Sequence, residues 1–218
     1  MIEDAPKIQL LTPIRRPRPE QVAALQRTST GYVVDALGGA GAMDYRIKPA
    51  VPEQCHFCGP ALPCNAGPSD NLAVFAALEY LQPGDVIVAA SGGHTGCAVI
   101  GDLMLGMARN GGAMAFVTDG CVRDIPGIRS VGLPCFCVGV TPNSPAREGP
   151  GTMGFPIVVG GVAVAAGDIV IGDQDGVVVV PFDRIDSVID KLPMVRTAEA
   201  ELDAQVKGGL RVPAFLRR

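Results

Sequence analysis

Three residues between positions 91 and 124 offer reactive chemistry: Asp102, Arg123 and Asp124. They lie in the stretch SGGHTGCAVIGDLMLGMARNGGAMAFVTDGCVRD. A carboxylate is a hard oxygen ligand of the kind that holds a magnesium-type ion and leaves it several waters. A guanidinium fork matches a carboxylate or a developing oxyanion. Backbone N–H groups that open a helix after Gly101, near Leu103 and Met104, favour a bound anion. Together these groups suit a small 2-oxo acid chelated to a metal.

The elements that must position them are legible from period and breakers. The apolar run Val86 to Ala90 feeds a glycine-rich loop, and a helix is predicted over Asp102 to Arg109. A second apolar run, Ala113 to Val117, ends in Asp119-Gly120 and then Arg123-Asp124. The order is strand, loop, helix, strand, loop. A unit of this length favours a right-handed parallel crossover. Loops at the carboxyl ends of neighbouring parallel strands lie side by side, and ligands bind there. Both acids and the guanidinium are therefore expected in one crevice. His94-x-x-Cys97 lies in the same loop. It either brings soft ligands near the crevice or makes His94 a lining residue that contacts substrate or water, and the second is the expectation.

Each residue also has a plainer role. Asp102 after a glycine at a helix start is what a cap looks like. Arg123-Asp124 alone makes a surface ion pair. The spacing weighs against both: Asp102, twenty residues, then Arg123-Asp124 is D-x20-R-D. That pattern resembles the signature of the class II pyruvate aldolases that cleave 4-hydroxy-4-methyl-2-oxoglutarate and 4-carboxy-4-hydroxy-2-oxoadipate. These belong to the superfamily of the regulator of ribonuclease E activity. Flanking segments extend the resemblance over most of the chain: Asp35-Ala36-Leu37-Gly38, Pro83-Gly84-Asp85-Val86, Gly167-Asp168-Ile169-Val170 and Gly172-Asp173-Gln174-Asp175-Gly176-Val177. Members that only regulate the ribonuclease typically lack the first aspartate of the pattern, which is Asp102 here.

The resemblance implies a site, a fold and an assembly. Asp124 would hold Mg²⁺ or Mn²⁺, Arg123 would contact the 2-oxo oxygen, and Asp102 would orient a water that exchanges protons with substrate. Gly101, Leu103 and Met104 would receive the substrate carboxylate through backbone N–H groups. Glu199 from a neighbouring subunit, with Glu201 as the alternative, would stand in the outer shell of the metal. The implied fold is α/β, a layered β-sheet core with flanking helices of swivelling-domain-like, phosphohistidine-domain-like architecture. The implied assembly is a homotrimer or homohexamer. The implied reaction is retro-aldol cleavage of a 4-hydroxy-2-oxo acid, with oxaloacetate decarboxylation as a side activity, in aromatic-compound degradation. The alternative is a non-catalytic regulator that binds ribonuclease E.

Composition bounds these readings. The 218 residues suffice for one domain with a full core, so a single domain over 1–218 is expected. Hydrophobic content of 48% against 18% charged argues against disorder. A formal net charge of −4 gives no general drive toward nucleic acid. No apolar stretch reaches 18 residues, so no membrane span is expected. MIEDAPKIQL lacks the pattern of a secretory signal, and seven cysteines without one suggest reduced thiols in the cytoplasm. Cys55-x-x-Cys58 and Cys135-x-Cys137 are not the two well-spaced pairs of structural zinc, so most thiols are expected to be small buried apolar groups. A nucleotide role has no glycine-rich fingerprint in the right context.

The remaining elements follow the same logic. TPIRRPRP, within an arm over 1–19, reads as an extended lead-in, either solvated or packed on a neighbouring subunit. Helices are predicted over Pro19 to Arg27, from a Thr30 cap to Gly38-Gly39, and over Ser69 to Leu81 with Ser69 as cap. Asp35 in the second is read as structural. Short strands are expected within Ile47 to Asn65 and over Cys135 to Val140, with a loop from Thr141 to Thr152. Alternation from Phe155 to Val180 predicts consecutive strands forming a second sheet layer. A helical region over 183–218, capped by Asp183 and interrupted at Pro193, closes the chain.

Overall fold

The computed structural model describes residues 7–213 and 216. Residues 1–6 of the arm and 214, 215, 217 and 218 of the C-terminal region lie outside the described residues. In chain order the elements are β1 (Ile8–Leu10), α1 (Pro19–Leu25), α2 (Thr30–Ala36), β2 (Lys48–Pro49), β3 (Phe57–Asn65) and α3 (Leu72–Tyr80). Then come β4 (Val86–Ala90), β5 (Ala98–Ile100), α4 (Asp102–Asn110), β6 (Ala115–Thr118), β7 (Cys121–Val122) and α5 (Ile125–Val131). The chain continues through β8 (Cys135–Cys137), β9 (Gly139–Val140), β10 (Gly151–Met153), β11 (Ile157–Val159) and β12 (Val162–Val164). It ends in β13 (Ile169–Asp173), β14 (Gly176–Val180) and α6 (Ile185–Lys207).

The class is α/β, as expected. The main sheet is ordered β1-β10-β3-β4-β6-β8-β2, and β3, β4, β6 and β8 run parallel. Every residue of β4 and β6 is buried. That is the mark of parallel strands covered on both faces. Their side chains alternate between two cores. Ile87, Ala89 and Phe116 pack with Leu105 and Ile128 on the helix-covered face, while Val86, Val88 and Val117 pack with Phe136 and Val159 on the other. A third core joins α1, α2 and α6 to β13–β14 through Leu25, Val33, Ile171, Val178 and Val188.

Several expectations are corrected. β13 and β14 do not form a separate layer. The nine-residue β3 pairs with β13 through Phe57–Pro60 and with β4 through Ala61–Asn65, so β13–β14 extend the main sheet. The changeover falls at Pro60, a residue with no N–H to give a ladder. Helix α6 runs through Pro193 without a break, the Thr197 hydroxyl donating to the Pro193 carbonyl at 2.9 Å. Its start follows a 3-10 turn, Phe182–Arg184, with Arg184 rather than Asp183 at the cap position. Thr30 is not a cap but a capped residue, its N–H and hydroxyl donating to the Asp173 carboxylate at 2.9 and 2.8 Å. Helix α3 begins at Leu72, after Asn71, and Ser69 sits in the left-handed region at φ 60°.

In its described part the arm is mostly exposed, as a solvated lead-in would be, but it is attached to its own chain at several points. β1 pairs with β10, the Arg15 guanidinium lies 4.0 Å over the Phe182 ring, and Arg18 pairs with Asp186 at 3.0 Å. Arg16 reaches the buried Asp85 at 2.5 Å, and the Gln82 N–H donates to the same carboxylate oxygen at 2.9 Å. Burial pushes the Asp85 carboxyl above its ordinary range, while the Gln82 and Arg16 donors pull it back down. Arg16→Ala leaves that carboxylate buried without a cation. The expected loss is about 3 kcal/mol at neutral pH, from the cost of orphaning one member of a buried pair. Because the folded state favours the protonated acid, the loss should shrink as pH falls through the carboxyl range. Urea melts at neutral and acidic pH measure it; an equal loss at both would show that Asp85 charge is not the cause.

Candidate active site

The reactive residues are brought together by a small sheet that the sequence reading did not resolve. β5, β7 and β9 form a three-stranded parallel sheet apart from the main one. Ala98 pairs with Cys121 and Ile100 with Val122, and the Arg123 N–H donates to the Ile100 carbonyl at 3.1 Å. Helix α4 begins directly after β5, with Gly101 at its cap, and α5 begins directly after β7, with Asp124 at its cap. Two helix N-termini, and with them Asp102 and Arg123-Asp124, therefore share one crevice. Helix α5 was missed because its first turn contains Pro126 and Gly127, breakers elsewhere but acceptable at a helix start.

Two glycines set how closely these termini approach. A Cβ on Gly101 would collide with an Asp124 carboxylate oxygen. A Cβ on Gly127 would collide with the Asp102 carboxylate and lie 2.6 Å from its Cβ and Cγ. Asp124 itself is in the left-handed region at φ 63°, a conformation Asp tolerates better than most side chains.

The crevice encloses about 270 Å³ and is lined by the predicted Gly101, Asp102, Leu103, Met104, Arg123 and Asp124. Arg123 donates to the Ser144 hydroxyl at 2.5 Å, and its Nε stands 3.3 Å from Asp124 Oδ2. The half-exposed Arg123–Asp124 pair contributes little to stability on its own. Asp102 is the first residue of α4 rather than its cap, and its carboxylate accepts the Leu103 N–H at 2.7 Å. The Met104 N–H belongs to the first turn, where no intrahelical acceptor exists.

His94 is not among the lining residues; its Nε2 pairs with the Ser69 hydroxyl at 2.9 Å, which ties the glycine loop to the start of α3. Glu199 and Glu201 are exposed on α6 and do not line the crevice of their own chain. The lining also includes residues the sequence reading passed over, among them Asn71, Phe75, Pro145 and Arg147. Nothing in the spacing flagged them, because they come from α3 and from the loop after β9.

That loop is laced to the start of α3. The Ala146 N–H donates to the Ser69 carbonyl at 2.7 Å, and the Asn71 N–H returns to the Ala146 carbonyl at 3.1 Å. Asp70 accepts N–H groups from Leu72, Glu148 and Gly149 at 2.8, 2.7 and 3.0 Å. Burial would push the Asp70 carboxyl up, but these donors outweigh it and hold it below the ordinary range.

The donor set fits a hard divalent cation. Both acidic side chains of the crevice are carboxylates, and among the described residues Asp124 accepts no backbone hydrogen bond that would compete for its oxygens. Among the described residues no three His, Cys, Asp or Glu side chains gather as a ligand set, so a cation held by this chain alone would keep most of its waters. All seven cysteines are buried, and burial pushes the Cys58 and Cys64 thiols up to about 12, away from the thiolate that zinc requires. A larger groove of about 750 Å³ runs past His56, Cys58 and Asp173. Of its two carboxylates, Asp173 is already committed to Thr30 and the Asp175 N–H, and Asp175 sits alone at the groove without the paired arrangement of the crevice.

This arrangement belongs to a described family. Residues 30–179 match the RraA-like family, Aldolase/RraA, and the chain is a member of it. It is 39% identical over 162 residues to a protein of Halalkalibacterium halodurans provisionally named 4-hydroxy-4-methyl-2-oxoglutarate aldolase, covering 74% of this chain and 77% of that one. The structure resembles Streptomyces coelicolor RraAS2, described as an unusual member of the RNase ES inhibitor RraA family, at TM-score 0.75 and 30% identity over 87% of this chain and 100% of that one. It also shares its fold with an uncharacterized protein from Pseudomonas syringae pv. tomato, at TM-score 0.80 and 24% identity over 92% and 94%. No described helix is long and apolar enough to cross a membrane.

Gly127→Ala tests whether helix approach sets the reactive geometry. The backbone at 127 is helical, so alanine itself is tolerated, and the strain falls on Asp102. A displacement of about 1 Å costs on the order of 10²-fold in rate. Because Asp102 Cβ as well as its carboxylate must move, the variant should lose about 1–3 kcal/mol of stability and about that factor of any turnover in the crevice; unchanged melting and unchanged turnover would mean that the approach of the two helices is unimportant.

Proposed function

We propose that this chain catalyses retro-aldol cleavage of a 4-hydroxy-2-oxo acid to pyruvate and a second 2-oxo acid, using a divalent cation such as Mg²⁺ or Mn²⁺. The observation that carries the reading is the convergence of Asp102, Arg123 and Asp124 on two helix N-termini in one crevice. Family membership and the name of the Halalkalibacterium relative support it.

Asp124 would hold the cation, with Glu199 or Glu201 of a neighbouring copy in a trimer or hexamer adding an outer carboxylate. The cation, when bound, supplies a Lewis acid for the 2-oxo acid head of the substrate. The Met104 N–H, at the positive end of α4, receives the substrate carboxylate. Asp102 takes the proton of the 4-hydroxyl by way of one water. The C3–C4 bond breaks, the hydroxyl carbon becomes a carbonyl, and the electron pair moves into the enolate of pyruvate. Arg123, steadied by Ser144, donates to the 2-oxo oxygen as this charge develops. The proton then returns to C3. Loss of carbon dioxide from oxaloacetate passes through the same enolate, so that side activity is expected.

A non-catalytic regulator of ribonuclease E is the competing reading, favoured by the likeness to RraAS2. It leaves the Asp102 carboxylate only the Leu103 N–H to accept, a role that needs no acid. The deciding measurement is Asp102→Asn, read by thermal melting and by solvent deuterium entering the methyl group of pyruvate. Asn keeps the acceptor for the Leu103 N–H but cannot carry a proton. Normal melting with lost exchange supports the aldolase; retained exchange points away from it. Chelation should likewise abolish pyruvate release from 4-hydroxy-4-methyl-2-oxoglutarate, and added Mg²⁺ should restore it.

Arg123→Lys keeps the charge and loses the planar fork. Loss of one oxyanion donor costs about 10²–10³ in rate. A lysine variant within a few-fold of the parent would make Arg123 peripheral.

A further inference from the structure

The crevice continues beyond the reactive residues to a carbonyl oxygen without a donor and a guanidinium without an anion. Asn71, 4% exposed, precedes α3 and lines the crevice. Its Nδ2 donates to the Val99 carbonyl at 3.0 Å, which fixes which end of the amide is oxygen. That oxygen, Oδ1, is buried and has no hydrogen-bond partner among the described residues. Buried carbonyl oxygens are seldom left so, and an unpaired one marks a place for a ligand or water. A carboxylate cannot satisfy it; a hydroxyl can.

Arg147 lines the same crevice. Its guanidinium stacks 5.4 Å over the Phe75 ring, and it makes no ion pair or side-chain hydrogen bond among the described residues. Its backbone is held on both sides, by the Ala146–Ser69 and Asn71–Ala146 hydrogen bonds and by the Glu148 N–H on Asp70. Arg123 is engaged with Ser144 and Asp124, so Arg147 is the uncommitted positive group of the crevice. A ring beneath a planar fork leaves its edge free for a carboxylate.

We propose that Arg147 and Asn71 form a distal subsite, Arg147 receiving a second carboxylate and Asn71 Oδ1 accepting a hydrogen bond from the ligand hydroxyl. Arg147 would then set how strongly a second carboxylate is preferred, and Asn71 how strongly a hydroxyl is. The placement of substrate rests on the aldolase reading, and the test reads binding so that the two can fail separately.

The experiment is calorimetric titration of the full-length protein with Mg²⁺ present, using 2-oxoglutarate and 2-oxopentanoate. These have the same carbon count and the same oxo acid head, and differ in the second carboxylate. The wild type should prefer the diacid at least about tenfold, the order of one charge-assisted bidentate contact. Arg147→Gln should weaken the diacid at least tenfold more than the monoacid. For Asn71, the background is Asp102→Asn, in which the aldolase reading expects 4-hydroxy-2-oxoglutarate to be held without cleavage. There the hydroxylated diacid should bind more tightly than 2-oxoglutarate, and Asn71→Ser, which keeps a residue favoured before a helix, should erase that gain. A wild type without diacid preference, an Arg147→Gln protein that keeps it, or an Asn71→Ser protein that keeps the hydroxyl gain would overturn the subsite. Selective diacid binding without pyruvate release would leave the subsite standing and remove the aldolase reading alone.

Discussion

The site depends on a short parallel contact: β5 beside β7, joined by the Arg123 N–H on the Ile100 carbonyl. Each of these strands is only two or three residues long and could not stand alone. They are held because their ends are rooted in the main sheet, β5 following β4 and β7 following β6, which are themselves parallel neighbours. The order of the large sheet is thus repeated in the small one. Helices α4 and α5 leave adjacent strands in the same direction, and their N-termini face the same space. Gly101 and Gly127 then allow the carboxylate of each helix start to press against the backbone of the other.

A second constraint closes the crevice from the side. The loop from 141 to 150 has the Pro and Gly content of a mobile segment, yet Asp70 collects two of its N–H groups and the Asp70–Ala146 bridge ties it to the start of α3. It supplies Ser144 to Arg123 and Arg147 to the far wall. A loop so fastened positions side chains as a strand would.

How far the sequence could be read follows from range. β4, α4 and β6 were legible because their period and breakers are local, and the D-x20-R-D spacing lies within that unit. The crevice lining from Gly101 to Met104 and at Arg123-Asp124 followed directly. β5, β7 and β9 were not legible, since strands of two or three residues carry no period. Asn71 and Arg147 were invisible for another reason: their meaning comes from contacts between segments some seventy positions apart, and nothing around either residue announces the other. His94 shows the reverse error. Its loop lies beside the crevice-lining strand, but the Ser69 hydroxyl, set by the left-handed turn before α3, takes its ring out of the lining. The second sheet layer held for β11 and β12, which form a two-stranded sheet of their own, but not for β13 and β14, because β3 is long enough to serve two neighbours, a fact that alternation within residues 155–180 does not contain.

Charge balance gives these pieces a common logic. Asp102 and Asp124 offset Arg123 and Arg147, so the crevice has no net formal charge of its own. With no net formal charge, the crevice has only the helix N-termini to set against the desolvation cost of a diacid. A divalent cation at Asp124 would shift the balance to two positive charges, the amount a diacid cancels. On the proposed reading the charges would also be divided along the ligand, Asp124, Arg123 and the start of α4 serving the oxo acid end and Arg147 the other. The cation would then be needed for entry as well as for chemistry, and Arg147 would decide which anions make use of the entry. The small sheet that aligns α4 with α5 and the Asp70 knot that fixes the loop are then parts of one device, holding the two ends of the crevice at a set separation.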